Sequence, residues 1–218
     1  MRYVDILFYS CLLSYLFASI IGWLNYRFLD QAARIIVILL SITFLSEIIG
    51  RILYILGSEQ SYAYHFYCVI DFFLMAYYFI IFLKFPTTKI HLIAIALLIS
   101  LLGILNCKYL QPLNTFNSNM LMLESFVVIG MSMYALYRML INNELYDILN
   151  YPHFWLWTFF LLLYSCSFFF WPFIKFFYVT KHEYYFFATY FQELINILCY
   201  LGIGLTFYFY PKMVKHEH

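Results

Sequence analysis

Residues 33–56 read ARIIVILLSITFLSEIIGRILYIL. At about 1.5 Å of rise per residue, a helix of that length crosses the roughly 30 Å hydrocarbon core of a bilayer. The stretch is apolar enough to do so, yet it carries Glu47 and Arg51 in its second half. A charge at mid-span costs about 2.5–3.5 kcal/mol on insertion scales, so ionisable residues in such a helix usually mark a site. One segment thus raises both the fold and the purpose of its buried charge.

The rest of the chain repeats the pattern. Its 218 residues are 66% hydrophobic and 11% charged, against about 25% charged in a soluble domain. With a mean hydropathy of +0.84, the composition predicts a polytopic membrane protein with no soluble domain. Hydropathy places seven spans, at roughly 4–24, 33–56, 62–83, 89–107, 118–141, 153–174 and 184–210. The expected fold is all-α, a single domain over 1–218 built as one bundle of seven transmembrane helices. The first apolar stretch lacks an Ala-x-Ala cleavage site and reads as a retained span. Pro86, Pro112, Pro152 and Pro211 fall at or beside helix ends, and Pro172 near the end of the sixth span. The five cysteines form no CxxC and read as small buried apolar residues. With 26 Phe and 23 Tyr against 7 Gly, packing by bulky side chains is expected, not close glycine-mediated approach. The net charge of +1 and the lack of a basic run exclude a nucleic-acid partner. The partner composition does call for is the lipid bilayer.

Lysine and arginine set the expected orientation. Arg27, Arg34, Lys84, Lys89, Arg138, Lys212 and Lys215 fall on one side, and Arg2, Lys108, Lys175 and Lys181 on the other. The excess puts the N-terminus outside and the C-terminus in the cytoplasm.

Depth then brings five ionisable residues to one side of the membrane. Glu47, Asp71 and Glu193 lie about 13 Å below the outer surface, Glu124 about one and a half turns down, and Arg51 nearer the surface. Helical spacing adds companions. Thr43, Glu47, Arg51 and Tyr54 share one stripe; Tyr64, Tyr67 and Asp71 a second; Thr189, Glu193, Asn196 and Tyr200 a third. His65 is the one histidine in the outer half of a span, and Ser165 and Ser167 reach similar depth. Each stripe should face the bundle interior, because lipid would strand its polar groups. Four acids and one arginine leave excess negative charge, so protons, a cation or water must complete the balance.

The expected site is an outward-facing acidic pocket, with Glu47 and Arg51 on one wall, Asp71 and Glu124 on another, and Glu193 with Asn196 as the floor. It would take a proton, a cation or a small polar or cationic ligand, as part of a sensor or transport component. His65, Tyr67 and Thr189 complete the candidate binding residues. No cofactor, metal or catalytic residue is expected. Three other readings stay open. Glu47 and Arg51, an i, i+4 pair, can neutralise each other, with the remaining acids holding helices together through hydrogen bonds. The chain can also serve as an accessory subunit for another membrane protein or for a second copy of itself. A third is an intramembrane hydrolase using two carboxyls as acid and base.

Several chemistries are excluded. The last span has no lysine for a retinal Schiff base, and no Walker or Gly-rich phosphate loop occurs. Membrane zinc hydrolases need clustered ligands, whereas His91 and His153 sit at the opposite edge from His65. The terminal His216-Glu217-His218 is a weak metal motif. Glu47-Ile-Ile-Gly-Arg51 has the ExxxR spacing found in the CAAX-type intramembrane proteases, but Ser46 replaces their first Glu and neither FxxxH nor HxxxN follows.

SEIIGR (46–51), VIDFFLMAYYFIIF (69–82), LMLESFVV (121–128), FWLWTFFLLLYSCSFFF (154–170) and ELINILCYLGI (193–203) are spread along the chain from the second span to the last. In these stretches it loosely resembles a group of small seven-helix proteins frequent in Bacteroidota. The resemblance implies a bacterial inner (cytoplasmic) membrane and no particular activity.

Overall fold

A computed structural model describes residues 2–83, 89–109, 111–113, 115, 117–141, 148–179 and 184–214. Lys84, Pro86, Lys181, Lys215 and the His216-Glu217-His218 triplet lie outside the described residues. Seven α-helices and no strand occur among those described: α1 (Arg2–Leu24), α2 (Gln31–Ile55), α3 (Ser61–Leu83), α4 (Lys89–Tyr109), α5 (Ser118–Ile141), α6 (Pro152–Val179) and α7 (Tyr184–Met213). Six are long and apolar enough to cross a membrane, and α4 adds a shorter apolar segment, Ile90–Asn106. This is a multi-pass membrane protein. Helices are the natural solution there, since a helix pairs its own backbone polar groups where no water can.

Local chemistry sets the helix ends. Asp30 caps α2, its Oδ1 accepting the Ala33 amide hydrogen at 2.7 Å. At the other end Gly57 takes φ +73°. The Gly57 and Ser58 amides then reach back to the Tyr54 and Leu53 carbonyls at 3.1 and 2.9 Å, a Schellman closure that a residue with a Cβ adopts poorly. Pro152 opens α6, where its missing N–H costs nothing. Helices α6 and α7 continue through Pro172 and Pro211 to Val179 and Met213. They outrun the hydropathy-based ends because backbone pairing, unlike insertion, does not require apolar side chains.

The chain forms two compact units. The first holds the residues up to Leu29 and those from Ser125 onward; the second holds Asp30–Glu124. Helix α5 therefore gives its opening turns to the second unit and the remainder to the first.

In the first unit α7 packs against both α1 and α6. Tyr15 of α1 meets Tyr200 of α7 edge to face, with ring centroids 4.3 Å apart. Two glycines allow the approach. A Cβ on Gly202 would run into the Phe159 ring of α6, and one on Gly204 would come within 2.6 Å of the Phe17 ring and 3.1 Å of the Ala18 backbone of α1. The paucity of glycine in the sequence thus misleads: large rings here seat in glycine notches, so bulky and close packing coexist. At the far end of the same unit, buried His153, Trp157 and Tyr210 cluster, and Tyr210 Oη lies 3.4 Å from His153 Nε2. His153 is a packing and hydrogen-bonding residue, in line with its place at a helix edge.

In the second unit α3 packs against α2 and α4. Its core is Phe72, Met75, Tyr78 and Phe79 from α3 with Ile36, Val37 and Leu40 from α2. Outward faces in both units carry large apolar side chains such as Leu13, Phe66, Leu101, Phe126 and Leu198, as helices bathed in acyl chains require.

Candidate functional site

The polar stripes of α2 and α3 meet as their spacing predicts. The Thr43 hydroxyl donates to the Leu39 carbonyl at 3.0 Å, leaving Tyr67 to donate to Thr43 Oγ1, also at 3.0 Å. One turn along, the Tyr64 phenol donates to Glu47 Oε2 at 2.9 Å. The two contacts run in opposite chain directions, as antiparallel neighbours must. Gly50 lies beside Tyr64, where an added Cβ would sit 3.4 Å from the phenol oxygen. Arg51 is half-buried, its guanidinium 5.3 Å from the centre of the Tyr54 ring, within cation–π range.

Deeper in the same unit lie two acids. Asp71 of α3 is 5% exposed and Glu124 of α5 is 0% exposed. Each sits well inside an apolar helix.

Above them is a polar structure the sequence does not announce. Asn106, near the end of α4, donates through Nδ2 to Gln111 Oε1 at 3.2 Å and to Asn117 Oδ1 at 3.0 Å. Gln111 Nε2 donates to Ser118 Oγ at 2.8 Å, and Gln111 Oε1 accepts the Asn119 amide hydrogen at 3.1 Å. Asn119 Nδ2 returns a bond to Asn106 Oδ1 at 3.1 Å. Gln111, Asn117 and Ser118 are all buried. The Gln111 side chain caps the start of α5, satisfying an amide left open by helix geometry. His65 joins from α3, its Nε2 2.8 Å from the Thr115 carbonyl oxygen. A backbone carbonyl can only accept, so this nitrogen carries the hydrogen. His65 therefore ties down the loop between α4 and α5. Asp71 and Glu124 stand six and seven residues further along their helices than His65 and Asn117, which is about 9–10 Å below this cap.

The remaining candidates belong to the first unit. Thr189, Glu193 and Asn196 are half-buried on α7. Cys11 of α1 hydrogen-bonds to the Glu193 carboxyl. Between Thr189 and Asn196 sits Gln192, 4% exposed, which the sequence reading passed over. Its Nε2 donates to Ser167 Oγ of α6 at 2.9 Å and to Asn196 Oδ1 at 3.2 Å. The available signal was its spacing, three residues after Thr189 and four before Asn196 on an otherwise apolar helix.

Of the sequence-predicted residues, Glu47, Arg51, His65, Tyr67, Asp71 and Glu124 belong to the second unit and Thr189, Glu193 and Asn196 to the first. No group of three or more His, Cys, Asp or Glu side chains placed to hold a metal ion occurs among the described residues. Comparison with protein-family models, curated proteins and solved structures finds no match to this chain.

Proposed function

We propose that this multi-pass membrane protein is a transport or sensing component whose buried carboxyls take up a proton, a cation or a small polar or cationic ligand. The observation that carries the reading is the burial of Asp71 and Glu124, at 5% and 0% exposure, within apolar spans. Ionised carboxylates in that setting cost several kcal/mol unless compensated. Away from their ends, the spans of the second unit carry Glu47, Asp71 and Glu124 against Arg51, with Arg34, Lys89 and Lys108 in first or last turns. Their charge balance invites protons or a cation, because like charges in a low dielectric raise the cost of full ionisation. The polar cap of Asn106, Gln111, Asn117 and His65 closes the same end of the unit and would control access to the acids below it. The lysine and arginine distribution supports that end facing outward, and the resemblance to Bacteroidota seven-helix proteins supports a bacterial inner membrane.

Proteoliposomes with a trapped pH indicator test the reading, alongside infrared titration of the carboxyl bands. Under an imposed proton or alkali-cation gradient, vesicles with the protein are expected to respond faster than empty ones. Asp71→Asn and Glu124→Gln are each expected to slow that response by about tenfold or more, near 1.4 kcal/mol. For a sensor without flux, the expected result is a carboxyl band that titrates and is lost in the same two variants. Vesicles indistinguishable from empty ones, together with no titrating band, sink the reading.

A further inference from the structure

Four of the eight residues from Thr189 to Asn196 are polar, in a helix otherwise made for hydrocarbon. Only one of the four, Gln192, is fully withdrawn, at 4% exposure. Its amide is fixed by donating to Ser167 and to Asn196. That leaves Gln192 Oε1 buried with no hydrogen-bond partner among the described residues. Buried side-chain oxygens are nearly always paired, and one left over calls for an explanation. Nothing about packing requires it, since an apolar side chain of the same size would fill the space without a polar penalty.

An amide oxygen accepts only a hydrogen bond or a cation. Its neighbours favour the cation. Ser167 Oγ and Asn196 Oδ1, which accept from Nε2 of the same amide at 2.9 and 3.2 Å, are hard oxygens with lone pairs to spare. Glu193, the next residue along α7, supplies formal negative charge. Neutral carbonyl and hydroxyl oxygens with a single carboxylate suit a monovalent cation better than a divalent one, which favours several carboxylates. Thr189, Glu193 and Asn196 are half-buried, so one side of the locus is accessible while Gln192 forms its closed end.

We infer that the α6–α7 locus of Gln192, Ser167, Asn196 and Glu193 binds a monovalent cation: an alkali ion, ammonium or a primary ammonium group. The inference stands on the first unit alone and does not depend on the reading of Asp71 and Glu124.

The test uses the full-length protein in nanodiscs. Thermal unfolding is followed while sodium, potassium, ammonium or methylammonium chloride replaces choline chloride at constant ionic strength. The expected result is a saturable rise in midpoint with at least one of the four salts. The alkali arms and the ammonium arms separate the two sources of charge. Gln192→Leu should weaken the apparent affinity by about tenfold or more. Gln192→Glu, which keeps an oxygen and adds charge, should strengthen it, and Ser167→Ala should weaken it. If Gln192→Leu does not fold, the last two variants carry the test. A response to none of the salts overturns the site, and so does a response unaltered by Gln192→Glu and Ser167→Ala; a buried water then satisfies the oxygen. Loss of the response in Asp71→Asn, with Gln192→Leu unaffected, assigns the cation to the second unit and also overturns this site.

Discussion

Tyr64 Oη and Glu47 Oε2 lie 2.9 Å apart across the α2–α3 contact, one turn from the 3.0 Å pair of Tyr67 and Thr43. The tyrosine is the donor and the carboxylate the acceptor. The pair gives Glu47 a partner on another helix. Hydrogen bonds between membrane helices are worth about 0.6–2 kcal/mol. In a double-mutant cycle of Tyr64→Phe and Glu47→Gln, read by unfolding in mixed micelles, a coupling in that range is expected. A coupling indistinguishable from zero would show that the two groups do not stabilise each other.

The cap over the second unit makes a separate prediction. His65→Ala removes the part-buried bond to the Thr115 carbonyl. Loss of one such hydrogen bond costs about 0.5–1.5 kcal/mol. Hydrogen exchange of the 117–121 backbone should speed up by up to about tenfold, while the 72–80 backbone of α3 keeps its protection. Gln111→Leu, which removes the cap of the Asn119 amide, should act on the same segment. Equal loss of protection throughout α3 would mean that His65 supports the whole unit and not the loop.

Glycines at contacts and glycines in the open should respond in opposite directions. Gly204→Ala places a methyl group against Phe17 and the Ala18 backbone. Overpacking of this sort costs about 1–3 kcal/mol. Gly202→Ala meets the Phe159 ring, and a second substitution, Phe159→Leu, should recover part of its loss. Gly130 on α5 has nothing within 4 Å of its would-be Cβ. There Gly130→Ala should be neutral or stabilise by up to about 1 kcal/mol through helix propensity. Equal effects at Gly130 and Gly204 would deny the notches their role.

The Asp30 cap of α2 gives a further expectation. Asp30→Ala frees the Ala33 amide and should lower stability by about 0.5–2 kcal/mol. Asp30→Asn should retain most of it, because an amide oxygen still accepts. A full-sized loss in the asparagine variant would point to charge in place of the hydrogen bond.

Hydropathy located the helices well because insertion into lipid is a local property: each span must be apolar whatever surrounds it. The readings 118–141 and 62–83 differ from the observed α5 and α3 by at most one residue. The same logic found the α2 and α3 stripes, since residues such as Thr43 and Tyr67 must turn toward each other to escape lipid. It missed the cap because Asn106, Gln111, Asn117 and His65 come from one helix end, one loop and another helix. Their meeting is a tertiary event with no periodic trace. It also passed over Gln192, which stands at i+3 from Thr189, beside the i, i+4, i+7, i+11 stripe of Thr189, Glu193, Asn196 and Tyr200 and not on it. The glycine count misled for a related reason: composition reports how many glycines there are, not whether Gly202 and Gly204 stand where neighbouring helices press closest.

The two-sided grip on α7 bears on how the protein is made. Helix α1 leaves the ribosome well before α7, its main contact within its unit. Residues 30–124, by contrast, can begin to associate among themselves while synthesis continues. Until α7 emerges, Tyr15, Phe17 and Ala18 must wait in lipid for Tyr200 and Gly204 to arrive. A ribosome stalled before α7 would therefore release α1 without its partner, exposing a face for membrane quality-control proteases to recognise.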